Sequence, residues 1–140
     1  MKNMKRVIFH PIKKNHEKIP YLVRLVHQYF HLNHFLDILT SDLASKTKID
    51  ELLWKYPKNS FLPHTTEAKS SYLIKIYTKE ETIHPAHTCL NLSLKPLSPT
   101  SAYQTILEFD DQSSKQKKES SKIKYQFYKE NGYKIATLYS

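Results

Sequence analysis

The chain has 140 residues, enough for one domain with a substantial core, and its hydrophobic fraction of 39% belongs to a folded chain, not a disordered one. Its formal charge is +9, from 22 Lys and Arg against 13 Asp and Glu, which points to an acidic partner such as nucleic acid or an acidic peptide; plain solubility charge is the alternative. The single glycine, Gly132, excludes a glycine-rich phosphate loop, and the single cysteine, Cys89, excludes an intrachain disulfide.

Residues 5–10 read as a first strand. The apolar run before His10-Pro11, only Val7-Ile-Phe9, is too short for a signal-peptide core. Nowhere does an apolar run approach the ~20 residues of a membrane helix. The expectation is a cytoplasmic protein that does not enter a membrane. Residues 17–32 carry Ile19, Leu22, Val23, Val26 and Phe30 at helical spacing. Residues 34–39 form a second short strand, and Thr40-Ser41-Asp42 offers capping oxygens to a helix running to about Lys55. Pro57 and Pro63 bracket a loop.

Residues 71–77 and 88–94 are predicted strands. In the second, Leu90, Leu92 and Leu94 alternate with Asn91 and Ser93, predicting one buried face with Cys89 as a small buried hydrophobe. A turn at 96–99 and a strand at 105–109 follow. Residues 115–130 make a basic helix, stopped by Asn131-Gly132 as a left-handed cap, and 133–139 close the chain as a strand. The order predicts a single α/β domain over 1–140, with a mixed sheet and helices on both faces. The early strands should pair in parallel. The middle ones are too close in sequence for helical crossovers and should pair antiparallel.

Little in the chain suggests catalysis. His27 and His31 share a helix face, and His84 and His87 share a loop, but no H-E-x-x-H arrangement or second cysteine accompanies them. Scattered surface or half-buried histidines are the plainer reading. No nucleophile elbow or dinucleotide fingerprint is possible with one glycine, so no catalytic residue, metal or cofactor is assigned.

Two features stand out on a helical wheel. In the second helix Ile49, Leu52, Leu53 and Tyr56 make the core stripe, and Trp54 points away from it. Phe61 follows and can join Trp54 in one apolar patch, unless another element covers both. In the last helix Lys118, Lys122, Tyr125 and Lys129 form a cationic stripe containing an aromatic ring, while Ile123 and Phe127 should anchor the opposite side. A solvated charged face would also explain the stripe. Arginine occurs only at Arg6 and Arg24, which argues against sequence-specific base reading. The Lys115–Lys118 cluster and ten tyrosines leave direct single-strand nucleic-acid binding as an alternative.

These residues resemble the chi subunit family of bacterial DNA polymerase III. The segment Ile49-Asp-Glu-Leu-Leu-Trp54, then Pro57 and Ser60-Phe-Leu-Pro-His64, is similar to the family's most recognisable stretch. The ending Tyr125-Gln-Phe-Tyr-Lys-Glu-Asn-Gly-Tyr133 is similar to its last helix and following turn. The resemblance implies a Rossmann-like fold without nucleotide binding and a non-catalytic adaptor in DNA replication. It implies one site for the acidic C-terminal tail of single-stranded-DNA-binding protein, at positions matching Lys118, Lys122 and Tyr125, with Lys122 where the family pattern has Arg. A second site, for the clamp loader's psi subunit or a competing helicase, matches Trp54 and Phe61. DNA would be contacted only indirectly.

Overall fold

A strand covered on both faces is buried along its length, so a polar residue in it must find partners, as Asp37 does with the Ala86 N–H and the Tyr103 hydroxyl. The strand β2 (Leu36–Thr40) is buried at every position, and β4 (Ile74–Thr78) at all but the last. The computed structural model describes residues 5–55, 64–65, 72–78 and 86–138. Among them β1 (Arg6–Ile12), β3 (His64–Thr65), β5 (Thr88–Asn91), β6 (Thr105–Asp111) and β7 (Lys134–Thr137) join β2 and β4 in one sheet, in the order β3-β4-β2-β5-β6-β1-β7.

The helices α1 (Lys18–His31), α2 (Leu43–Lys55) and α3 (Lys115–Glu130) divide between the two faces. Leu22, Leu25 and Val26 of α1 and Leu53 of α2 pack with Ile12, Ile38, Ile76 and Leu107 on one side. Tyr128 of α3 packs with Val7, Phe9, Leu39, Tyr77, Cys89 and Ile106 on the other. The crossovers through α1 and α2 step along the sheet toward β3, whereas the one through α3 steps the opposite way, to β7. A single crossover hand therefore requires opposite faces. This is the α/β, Rossmann-like layering expected from the sequence.

The pairing of the middle strands is corrected. Each pair is parallel, including β2 with β4, β2 with β5 and β5 with β6. Closeness in sequence misled because β4 and β5 are not neighbours; β2 lies between them. The link from β5 to β6 crosses the α3 face without a helix, and its Leu97 and Tyr103 are buried in that core.

The alternating reading of 88–94 holds for Leu90 and Leu92, which pack on one core, and fails at Asn91 and Leu94. The Asn91 side chain accepts from the Ser93 N–H at 3.1 Å and donates to the Lys95 carbonyl at 2.9 Å, turning the chain out of the sheet. Leu94, expected inside, is 81% exposed, while Asn91 is buried. Cys89 is fully buried, and burial beside Asp37 and Glu108 pushes its thiol well above the ordinary range. Asp42 caps α2 as expected, its Oδ1 accepting from the Ser45 N–H at 2.7 Å.

Candidate binding site on the last helix

Ser113-Ser114 before a run of good helix formers sets the start of α3. Ser114 is extended, and its hydroxyl accepts from the Lys117 N–H at 3.2 Å. The helix stops where Gly132 takes φ +79°, a left-handed conformation that residues with a side chain rarely adopt.

The face turned to the sheet is not the expected one. Ile123 is 59% exposed and Phe127 only partly buried; Ser121, Lys124 and Tyr128 are the buried positions. The cause lies on β6, where Glu108 sits fully buried on the α3 side. Lys124 Nζ donates to Glu108 at 2.8 Å and to the Ser93 carbonyl at 2.7 Å. The Tyr128 hydroxyl donates to Glu108 at 2.6 Å and accepts from the Leu97 N–H at 2.9 Å. Asn91 donates to Glu108 at 2.7 Å. Burial pushes the Glu108 carboxyl up, against the pull of Lys124, Tyr128 and Asn91. A buried carboxylate demands donors, so polar side chains displace Ile123 from the inner face.

This rotation fixes what α3 offers to the outside. Lys118, Lys122 and Tyr125 are exposed and line one cleft of about 580 Å³ between α3 and the ends of β1 and β7. Its floor is Phe9, whose ring centroid lies 5.8 Å from that of Tyr125. Pro11 and Thr137 continue the floor, and Lys13 and Lys115 stand at the far end. Lys13, Lys115, Lys118 and Lys122 make no side-chain hydrogen bond or ion pair among the described residues. Lys18 instead bonds Asp111 at 2.9 Å, Lys117 approaches it at 3.8 Å, and Lys124 holds Glu108. The cleft therefore combines unengaged cations with an aromatic floor, and suits a negatively charged chain carrying an apolar group. Asp110 and Glu119 also face it, and Gln112 donates to Asp110.

Lys129 lies one turn beyond Tyr125, exposed, and is not among the residues lining the cleft. Its position in the last turn is one where a cation favours the helix dipole. Sequence reasoning missed Phe9, Pro11, Lys13 and Thr137 as parts of the site. No local signal marks them; they reach it only because β1 lies between β6 and β7.

Trp54, in the last turn of α2, is 52% exposed, as its wheel position predicts. Phe61 lies outside the described residues, as does Tyr56. His27 and His31 do share a helix face, with ring centroids 6.0 Å apart. Among the described residues, no three His, Cys, Asp or Glu side chains converge as a metal site would need, and no helix is long and apolar enough to cross a membrane.

A search of curated proteins returns no match. A family model, DNA polymerase III chi subunit, HolC, matches residues 4–136, nearly the whole chain and all of the cleft lining but Thr137. Members of that family are accessory subunits of the polymerase III holoenzyme, and this chain belongs to the DNA polymerase III chi subunit family.

Proposed function

We propose that the chain is a non-catalytic tether between the replicase and the protein that coats single-stranded DNA. In this reading the cleft beside α3 captures the acidic C-terminal tail of single-stranded-DNA-binding protein. Lys118 and Lys122 meet its acids, and Tyr125 over Phe9 takes an apolar terminal side chain. A separate surface around Trp54 meets the psi subunit of the clamp loader or a helicase that competes for it, and DNA is contacted only through these partners. The observation that carries the reading is the cleft itself: unengaged lysines and a half-exposed phenol ring above a buried aromatic floor.

The magnitudes suit such a role. Exposed ion pairs contribute roughly 0.2–1 kcal/mol each, so lysines alone do not hold a tail. Burying one Phe side chain adds roughly 1.5–3 kcal/mol. After ordering costs the complex is on the order of micromolar and weakens with salt. Many tails along coated DNA raise the effective concentration at the replicase, so weak single contacts suffice. Calorimetric titration of the chain with a short acidic peptide ending in Pro-Phe tests this. Saturable micromolar binding is expected; absence of binding, with tight steeply salt-dependent binding of an oligonucleotide instead, rejects it in favour of direct nucleic-acid contact.

A further inference from the structure

We infer that the cleft beside α3 holds its acidic chain end in one direction, with Lys13 and Lys115 taking an acid four or five residues before the terminus. This rests on the tail-binding reading above and deepens it.

The two walls run past each other. Phe9 and Pro11 are alternate residues of β1 and Lys13 follows its last residue, and all three line the cleft. Opposite them Tyr125, Lys122, Lys118 and Lys115 follow α3 in the reverse sense, with Tyr125 against Phe9. From Phe9 to Lys13 an extended chain covers ~13 Å. From Tyr125 to Lys115 the helix covers ~15 Å. A peptide laid between the walls spans that length in about four residues.

The chemistry is graded along it. The Phe9 end is aromatic and apolar; the rest of the lining carries Lys115, Lys118 and Lys13, which outnumber Asp110 and Glu119 there, beside the first turn of α3, whose dipole also favours anions. A chain end with its apolar residue last and its acids upstream matches this gradient in one sense only. Reversed, its several side-chain carboxylates would lie on Phe9 and Tyr125, whereas in the proposed sense that end receives only the terminal α-carboxylate, with Lys122 beside it. The cleft between α1, α2 and α3, of about 450 Å³, makes a poorer site, because Lys18, Lys117 and Lys124 there are already held by Asp111 and Glu108.

Two labelled peptides decide the matter, one ending Asp-Asp-Asp-Ala-Pro-Phe and one with the three Asp replaced by Asn. Fluorescence anisotropy is read with the wild-type chain and with Lys13→Glu and Lys115→Glu. Each variant should bind the Asp peptide about three- to tenfold more weakly, and change the Asn peptide by less than about twofold. Should a Glu variant fail to fold, the Gln variant is read instead, with about half the logarithmic loss expected. If the wild type binds the Asp peptide and the variants match it, or lose both peptides equally, the direction is wrong while the tail reading stands. If the wild type binds neither peptide, or prefers an oligo-dT strand, the tail reading falls and this inference with it.

Discussion

Lys124 on α3 and Glu108 on β6 meet inside the protein, Nζ to Oε1 at 2.8 Å, with the lysine side chain 10% exposed and the carboxylate not at all. The pair sets the rotation of α3, and so decides that Lys118, Lys122 and Tyr125 face outward together. Removing one partner should be costly. Lys124→Met leaves a buried charge held only by Asn91 and Tyr128, and unfolding by urea should show a loss of about 3–5 kcal/mol. Without its counter-charge Glu108 is raised further. A raised carboxyl favours the fold at low pH and loses that contribution as pH rises through the folded value. The deficit against wild type should therefore shrink on acidification. Replacing both, as Glu108→Gln with Lys124→Met, should recover part of the loss.

Asp111 titrates in the opposite sense. Burial alone would raise it, but hydrogen bonds from Lys18 and Ser113 outweigh burial and bring the carboxyl down to about 2. Its ordinary value is 3.8. A lowered carboxyl stabilises the fold above its unfolded value, and that stability disappears as pH falls from about 4 toward 2. With Lys18 36% exposed and the pair screened by solvent, the contribution at neutral pH is about 1 kcal/mol. Asp111→Asn should be less stable than wild type near pH 6, and the difference should close near pH 2 in paired denaturation curves.

Lys122 offers a point charge where an arginine would offer a planar fork. Lys122→Arg should tighten binding of an acidic peptide by about two- to fivefold, since bidentate contact to a carboxylate is stronger and better oriented. An unchanged or weakened affinity, measured by calorimetry, would mean that Lys122 does not meet a carboxylate.

Trp54 and Tyr125 belong to separate elements, α2 and α3, and Trp54 does not line the α3 cleft. Trp54→Ala should abolish capture of the psi subunit or helicase in pull-downs, yet leave peptide affinity within about twofold. Loss of peptide binding alone would reverse the assignment of the two surfaces.

The fold class and the helix ends were legible because their signals are local: the Thr40-Ser41-Asp42 cap, the Asn131-Gly132 stop and the early alternation of short strands with helical stripes. The outward stripe of α3 was legible for the same reason. Its inner face was not. A wheel assigns apolar residues inward, and nothing near Ile123 indicates that Glu108, fifteen positions earlier, waits beneath the helix with a need for donors. The pairing of β2 with both β4 and β5 was equally hidden, since sheet order is set by packing between distant segments. Lys13 and Phe9 joined the site through that same order.

The central claim is that Tyr125 and Lys118 act together in one cleft on a chain that ends in an apolar side chain. Calorimetry of the intact protein with an acidic peptide, with and without its terminal Phe, tests it most directly, repeated on Tyr125→Ala and Lys118→Glu. Micromolar binding should vanish without the Phe and fall at least about tenfold in each variant, whose melting temperatures stay near wild type. Equal affinity for both peptides, or undiminished binding in both variants, would contradict the account.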